Sequence, residues 1–296
     1  MERRRGARWT RLGYGVHRPT SDSSLLADLR AWQEVLPASA IMTGLTGARA
    51  RGLWMPPLPE DVPVFVDVPP HRTHSTRSGV RVSRPKVMPE FELIGGVRIA
   101  TAAECLLACA RDLSVLDLAV MIDSAHHAGA LSRHGLDELI ASRRRGVPQL
   151  RRAAQLSDHR SESAWESLLR IIHRCADVDV EPQVEILDAE GLVARADLHI
   201  VGTQIIHEYD GLHHRTPKGL AKDLGRDRRL LRAGWHRRGY TARDVAQRPA
   251  EIMTDATEAV GRVLTPAHMA RWRGLWEASL FSAAGARRAR ERWRID

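Results

Sequence analysis

The chain has 296 residues, a hydrophobic content of 43% and a formal net charge of +9. This length and apolar content suffice for two ordinary domains and exclude a wholly disordered chain. The charge favours a polyanionic partner, nucleic acid above all, because Lys and Arg release counterions when they contact phosphate.

Cysteine usage and the lack of apolar runs bear on the compartment. The chain has three cysteines, Cys105, Cys109 and Cys175, and the first two lie one helical turn apart. An odd count in this spacing indicates buried thiols rather than a disulfide framework or a zinc site. No segment is as long and apolar as a membrane span, and the basic start lacks the apolar stretch of a signal peptide. We expect a cytoplasmic protein without a membrane partner.

The first fifth of the chain is basic and then helical. Residues 1–20 are rich in Arg and Gly, which predicts a flexible arm. Polar residues at 21–23 cap a helix, and a second short helix follows within 38–57, where Gly52 ends it. Two short helices joined by a turn favour a helix-turn-helix variant.

Two stretches of β-forming residues come next, 62–70 and 79–85, joined by a basic loop. They predict either a hairpin that acts as the wing of a winged helix, able to touch a DNA backbone, or two strands of an ordinary α/β layer. Helical periodicity then resumes at 101–131, with a break at 112–114, and the region 21–155 ends in a charged connector. We place the main domain boundary there, near residue 155.

The second half predicts an α/β core over residues 156–248. A capped helix (163–176) precedes strands at 180–187, 192–201 and 203–211, a helix at 219–234 and a further strand after Gly234. The fold class is therefore α/β (α+β). The tail, 249–296, carries an amphipathic stripe and a basic end. It can dock on its own domain, pair with a second copy in a homodimer or rest on nucleic acid, and the first is favoured.

Three carboxylates are predicted to converge in this core. Side chains alternate along a strand, so Glu208 and Asp210 share one face, and Asp197 on the antiparallel neighbour comes opposite them. Such a cluster repels itself unless a hard divalent cation neutralises it, and oxygen ligands favour Mg²⁺, or Mn²⁺, over a softer ion. Glu166, on the preceding helix, can add a fourth acid through water.

Basic groups surround these acids. His213 and His214 follow the acidic strand, and the next helix offers enough positive charge to hold a phosphodiester over the metal: Lys218, Lys222, Arg226, Arg228 and Arg229. The chemistry that this set suits is hydrolysis of a phosphodiester by metal-activated water.

Four segments together resemble a known family: 163-SAWES-167, 195-RAD-197, 208-EYDGLHH-214 and 226-RDRRLLRAGW-235. They look like the domain-of-unknown-function branch of the restriction-endonuclease-like nucleases, akin to the very short patch repair endonucleases. The resemblance implies a PD-(D/E)xK fold in which Asp197 and Glu208 bind the metal and Glu166 is the acid of the first helix. It also matches His213, His214 and the segment 226–228 to motif positions of that family.

The first half has its own resemblance, carried by 41-IMTGLTGARARGLW-54 and 97-VRIATAAECLLACA-110. These segments are similar to the winged-helix module of abortive-infection antitoxins of type IV toxin–antitoxin systems. That resemblance implies a winged-helix-like region at 21–155 and a partner toxin.

The sequence departs from the nuclease pattern in three places, at Asp210, at 236–240 and at His207, which replaces an apolar residue. The lysine of the wider superfamily is Asp210 here, so proton transfer must fall to His213, His214 or Lys222, or be absent. The expected apolar strand reads 236-HRRGY-240. His207, by alternation, is predicted to point away from the acids.

Three interpretations of the acids follow. The first is a metal-dependent endonuclease acting on nucleic acid, with DNA expected, in a defence, repair or toxin–antitoxin context. The second is a non-catalytic DNA-binding regulator or antitoxin that uses the nuclease fold as a binding platform. The third is an ordinary ion network between the acids and the helix arginines.

Overall fold

The computed structural model describes residues 8–70, 77–211 and 217–293, and for 217–224 the backbone alone. The chain is a mixed α/β protein, in agreement with the predicted fold class. The strands are β1 (Trp9–Gly13), β2 (Val16–Pro19), β3 (Ile41–Met42), β4 (Val64–Asp67), β5 (Val80–Ser83), β6 (Phe91–Ile94), β7 (Val97–Ala100), β8 (Val180–Asp188), β9 (Gly191–Ile200), β10 (Ile205–Tyr209) and β11 (His236–Tyr240).

The helices surround two larger sheets. They are α1 (Leu25–Gln33), α2 (Gly44–Ala50), α3 (Ala102–Cys109), α4 (Val115–His127), α5 (Arg133–Ala141), α6 (Val147–Ala154), α7 (Ala164–Cys175), α8 (Pro217–Arg232), α9 (Ala242–Gln247), α10 (Pro249–Ala259), α11 (Pro266–Ala278) and α12 (Ala283–Trp293). No helix within the three described ranges is both long and apolar enough to cross a membrane.

The N-terminal arm is ordered where the structure describes it. β1 and β2 form an antiparallel hairpin that packs on α1. Val16 is buried, and a Cβ added to Gly13 would lie 2.7 Å from the Trp32 ring, so the hairpin backbone rests directly on that ring. The predicted flexible arm is therefore wrong for residues 8–20. The few apolar residues among the arginines are enough to attach the hairpin to the core.

A five-stranded sheet, in the order β5-β4-β3-β7-β6, organises the first half. β3 lies between α1 and α2, which contradicts a helix-turn-helix, and β4 pairs with β5 in parallel, which contradicts an antiparallel wing. Val66 and Val80 are buried, as expected of strands inside a layered sheet rather than of a solvated wing. The alternative prediction, an ordinary α/β layer, is confirmed.

The main core continues across residue 155. It joins apolar side chains of α2 to α6 with those of α7 and the C-terminal helices, and α4 packs against α7. The predicted boundary near residue 155 thus does not coincide with a break in the core. The tail docks on its own chain, as favoured from the sequence: Trp272 is buried, and the Ser279 hydroxyl donates to Asp117 Oδ1 at 2.5 Å.

The four-stranded sheet, in the order β11-β10-β9-β8, carries the predicted acids. β8, β9 and β10 form an antiparallel meander, and α8 returns the chain so that β11 lies parallel to β10. The predicted order of helix, three strands, helix and strand is confirmed. β11 pairs along its whole length with β10 despite its polar sequence, because each of its five residues has a partner in 205–209.

Candidate functional site

Asp197 and Glu208 lie side by side on β9 and β10, and Glu166 of α7 lies near enough for its charge to act on Asp197. The pairing of His207 with Leu198 brings Glu208 next to Asp197, and the Tyr209 amide donates to Asp197 Oδ2 at 2.8 Å. Glu166 lies in the first turn of α7, which the Ser163 side chain caps. The alternation of the strands therefore places Asp197 and Glu208 as the sequence predicted, with Glu166 beside them.

The charge of this cluster is not fully compensated at Asp197. Burial, then the charges of Glu166 and Glu208, raise the pKa of Asp197 to about 7, although the hydrogen bond from Tyr209 opposes the shift. Burial also raises the pKa of Glu166, which accepts hydrogen bonds from the Glu162 amide at 2.8 Å and from Gln183 Nε2 at 2.9 Å. A cation at Asp197 would relieve the repulsion.

Two arginines hold the buried Glu208. Arg226 of α8 donates to both carboxylate oxygens, at 3.2 Å from Nη1 to Oε2 and more closely from Nη2 to Oε1. Arg237 of β11 donates from Nε to Oε2 at 2.5 Å and from Nη2 to Asp210 Oδ1. Here the arrangement matches the third interpretation, an ion network between the acids and arginines.

The predicted three-carboxylate metal site is not assembled. Among the side chains that the structure describes, those of residues 8–70, 77–211 and 225–293, no three His, Cys, Asp or Glu come close enough to hold a metal ion. Asp210 does not join the other two carboxylates because its own carboxylate forms an ion pair with Arg237 of β11. Asp210 is therefore corrected from a metal ligand to an ion-pair partner.

Asp197 and Glu208 still fit a Mg²⁺ or Mn²⁺ ion. Mg²⁺ is usually bound by one or two carboxylates together with water, and both side chains offer hard oxygen donors. Burial and the charges of Glu166 and Glu208 raise the pKa of Asp197, and the charge of Arg226 offsets this only in part, so an added cation would be favourable there. Glu208 would have to share its carboxylate between the ion and its arginines, since both of its oxygens accept hydrogen bonds.

The structure describes the side chains of only some of the predicted basic residues, and these differ in their contacts. His213 and His214 lie outside the described residues, and Lys218 and Lys222 fall in the part of α8 described by its backbone alone. Arg228 is exposed and remains available to a phosphate backbone. Arg229 instead donates to Asp188 at 2.7 and 3.0 Å, so it braces α8 against the β8–β9 turn rather than facing solvent freely.

His207 packs away from the acids, as predicted. It is fully buried, and its Nδ1 lies 2.8 Å from His173 Nε2, while His173 Nδ1 lies 2.8 Å from the Leu169 carbonyl. A carbonyl only accepts, so His173 carries its proton on Nδ1 and accepts from His207 at Nε2. Burial lowers the pKa of His173 to about 4 and that of His207 to about 2. The two rings form a neutral structural pair.

The sequence prediction missed Arg237 and Gly239. In the parallel register Arg237 pairs with Ile206 and Gly239 with Glu208, so both β11 residues lie on the face of the acids. A Cβ at Gly239 would come 2.0 Å from Asp210 Oδ2, and only glycine leaves room for that carboxylate. The signal was the alternation of Arg and Gly in 236-HRRGY-240, which has this meaning once β11 is known to be parallel to β10.

We expect Gly239→Ala to lower the free energy of unfolding by about 1–2 kcal/mol, because the Asp210 carboxylate must leave Arg237 to avoid the new methyl group. Urea unfolding would measure this loss. In an Asp210→Ala background the same substitution meets no carboxylate and should cost less than about 0.5 kcal/mol. Equal costs in the two backgrounds would contradict the steric explanation.

Asp197→Asn should stabilise the protein at neutral and higher pH. The folded-state pKa of about 7 lies above the ordinary value of 3.8, so the folded chain holds a proton that the unfolded chain releases as the pH rises through this window. The free energy of unfolding of the wild type therefore decreases as the pH rises from 3.8 to about 7. The Asp197→Asn variant has no carboxyl group at this position, so its free energy of unfolding should not show this decrease. With allowance for partial exposure, we expect a gain of roughly 1–3 kcal/mol at neutral pH by urea unfolding. A wild type and a variant with parallel pH profiles would refute the assignment.

Comparisons with known proteins bring no further information on this site. No protein-family model, curated protein or solved structure matches the chain. The chemistry of the site itself is therefore what indicates its function.

Proposed function

We propose that the chain is a metal-dependent endonuclease that hydrolyses phosphodiester bonds in nucleic acid, with DNA as the expected substrate. The observation that carries the proposal is the position of Asp197 and Glu208 side by side on β9 and β10, where burial and the charges of Glu166 and Glu208 raise the pKa of Asp197 despite the opposing charge of Arg226. Groups whose pKa is shifted by specific charged neighbours concentrate at functional sites.

Asp197 and Glu208 would hold the cation. When bound, a divalent ion at this place supplies a nucleophilic water at neutral pH and stabilises the charge that develops on the phosphate. Arg226 and Arg237 hold the Glu208 carboxylate in place through charge-assisted hydrogen bonds. Arg228, exposed on α8, offers a contact to the nucleic-acid backbone.

The resemblance to the PD-(D/E)xK nucleases supports the same chemistry. Its motif acids, Asp197 and Glu208, are the two side chains that lie together on β9 and β10. In this proposal one of His213, His214 and Lys222 accepts the proton; the other alternative that the sequence leaves open, that no residue has this role, belongs to a protein that does not cut. The toxin–antitoxin context, with a partner toxin, rests on the resemblance of the first half alone.

A second candidate function is a regulator that binds nucleic acid without cutting it. The specific observation in its favour is that Arg226 and Arg237 already occupy both oxygens of Glu208. In this case the arginines, rather than a metal ion, neutralise the acid, and the exposed basic side chains of α8 supply the binding energy through phosphate contacts.

Cleavage assays separate the two functions. The purified chain would be incubated with supercoiled plasmid, single-stranded DNA and RNA, in Mg²⁺, Mn²⁺, Ca²⁺ or EDTA. Binding to the same substrates would be followed by fluorescence anisotropy in Ca²⁺. We expect cutting in Mg²⁺ or Mn²⁺ and none in EDTA. Binding without cutting in every metal would overturn the endonuclease and leave the regulator.

A further inference from the structure

A polar cavity lies in the first half of the chain, away from the acid cluster. It opens at the ends of β4 and β5, beside α2 and the turn after α3, and encloses about 380 Å³. This volume falls within the range of small-molecule sites, roughly 300–1,000 Å³. Neither candidate function above makes use of this cavity.

Two buried polar residues, Asp67 and Thr43, line the cavity, and one oxygen atom of each lacks a well-formed hydrogen bond within the described residues. Asp67 and Thr43 are each 3% exposed, and neither Asp67 Oδ1 nor Thr43 Oγ1 accepts or donates a well-formed hydrogen bond within the described chain. Thr43 precedes α2, yet its hydroxyl makes no capping hydrogen bond to that helix. Leaving such groups unsatisfied costs about 1–3 kcal/mol each, so a bound group that supplies a hydrogen bond is favoured here.

The carboxyl group of Asp67 is held in place by its neighbours. Asp67 is the last residue of β4, and its backbone pairs with that of Ser83 on β5. The Ser83 hydroxyl accepts a hydrogen bond from Arg111 at 3.3 Å. Burial raises the pKa of Asp67 to about 6, and the charge of Arg111, with weaker contributions from the Ser83 and Thr43 hydroxyls, opposes that shift. At neutral pH the carboxylate is therefore mostly ionised and can accept a strong hydrogen bond.

Arginines line the mouth of the same cavity. Arg145 is exposed at its edge and makes no hydrogen bond or ion pair with the described residues, whereas Arg111 is half-buried between the mouth and Asp67. Arg81 and Arg292 also line the wall but are partly engaged by Asp112. The cavity thus has a buried carboxylate, that of Asp67, and guanidinium groups nearer to solvent, such as that of the exposed Arg145.

A ligand that fits this arrangement of charges carries an anion at one end and N–H donors at the other. Arginine pairs bind phosphate well, and a buried carboxylate selects an N–H edge. Phe65 adds an apolar side chain to the lining of the cavity. We propose that this cavity binds a 5′-phosphorylated nucleotide, free or at the end of a nucleic-acid strand, with its phosphate at Arg145 and Arg111 and its base N–H groups at Asp67.

Calorimetric titration in EDTA tests the site without any contribution from cleavage. The ligands are AMP, GMP, adenosine, inorganic phosphate, and a short oligonucleotide with either a 5′-phosphate or a 5′-hydroxyl. The variants are Asp67→Asn, which keeps the side-chain shape, and Arg145→Ala, at an exposed position where a substitution is expected to change stability little. The matched control is Arg152→Ala, which removes an exposed arginine of α6 outside the cavity.

We expect binding of a mononucleotide, or of the 5′-phosphorylated oligonucleotide in preference to its 5′-hydroxyl form, and each cavity variant should weaken it by about tenfold. The Arg152→Ala protein should bind within about twofold of the wild type. Binding of mononucleotides alone identifies a free nucleotide as the ligand, and binding of the phosphorylated oligonucleotide alone identifies a strand end. No binding of either class, equal losses in Arg152→Ala and Arg145→Ala, or an affinity for inorganic phosphate that matches the nucleotides would overturn the proposal.

Discussion

Replacing Asp197 with asparagine should lower metal-dependent cleavage by roughly 10³-fold, and Glu208→Gln should have a similar effect. A bound divalent ion contributes several kcal/mol to the stabilisation of charge in the transition state, and each 1.36 kcal/mol corresponds to a factor of ten in rate. The amide keeps the shape of the carboxyl group but cannot supply the charge that holds the ion. Initial cleavage rates at saturating Mg²⁺ or Mn²⁺ would measure the loss.

The same asparagine variant separates catalysis from folding. It should be more stable than the wild type at neutral pH because it removes a carboxyl group whose ionisation is opposed by burial and by Glu166. A variant that is more stable and yet inactive cannot owe its inactivity to unfolding. Glu258→Gln, an exposed position on α10, is the matched control and should retain wild-type activity. Cleavage by Asp197→Asn within tenfold of the wild type would remove this carboxylate from the mechanism.

The acid pair was predictable because it depends on short-range rules. Strand alternation puts Glu208 and His207 on opposite faces, and the antiparallel turn between β9 and β10 fixes which residue meets Asp197. The fate of Asp210 was not predictable in this way. It depends on Arg237 and Gly239, which lie next to Asp210 because β11 pairs in parallel with β10, and the whole of α8 separates these two strands in the sequence.

Strand partners in the first half escaped prediction for a related reason. The residues of β4 and β5 have the composition of strands, but composition does not determine whether two strands pair in parallel or as a hairpin. The charged connector misled in another way, since α6 carries arginines on its outer face while Leu150 is fully buried. The charged residues of this segment do face solvent, as predicted, but the hydrophobic core continues beneath them, so they do not mark a domain boundary.

Removing one partner of the buried ion pair between Asp123 and Arg170 should destabilise the protein strongly. Asp123 belongs to α4 and Arg170 to α7, and Arg170 Nη2 donates to Asp123 Oδ2 at 2.6 Å. Both side chains are buried. We expect Arg170→Met to lower the free energy of unfolding by about 3–5 kcal/mol, because it leaves a buried carboxylate without its counter-charge. Urea unfolding measures the effect, and Arg152→Met on exposed α6 should stay within about 0.5 kcal/mol of the wild type.

The loss should come from the uncompensated charge rather than from lost packing, and two results distinguish these causes. Adding Asp123→Asn to Arg170→Met should recover at least about half of the stability, since the amide is neutral and its oxygen still accepts from the Asp158 amide, which donates to Asp123 Oδ1 at 2.7 Å. Burial already raises the pKa of Asp123 to about 6 with Arg170 present, and removal of the arginine raises it further. The folded single variant can therefore take up a proton that the unfolded chain does not hold, so its deficit should shrink as the pH falls from about 8 towards about 5. A deficit that is independent of pH and unchanged in the double variant would mean that Arg170 contributes by packing alone.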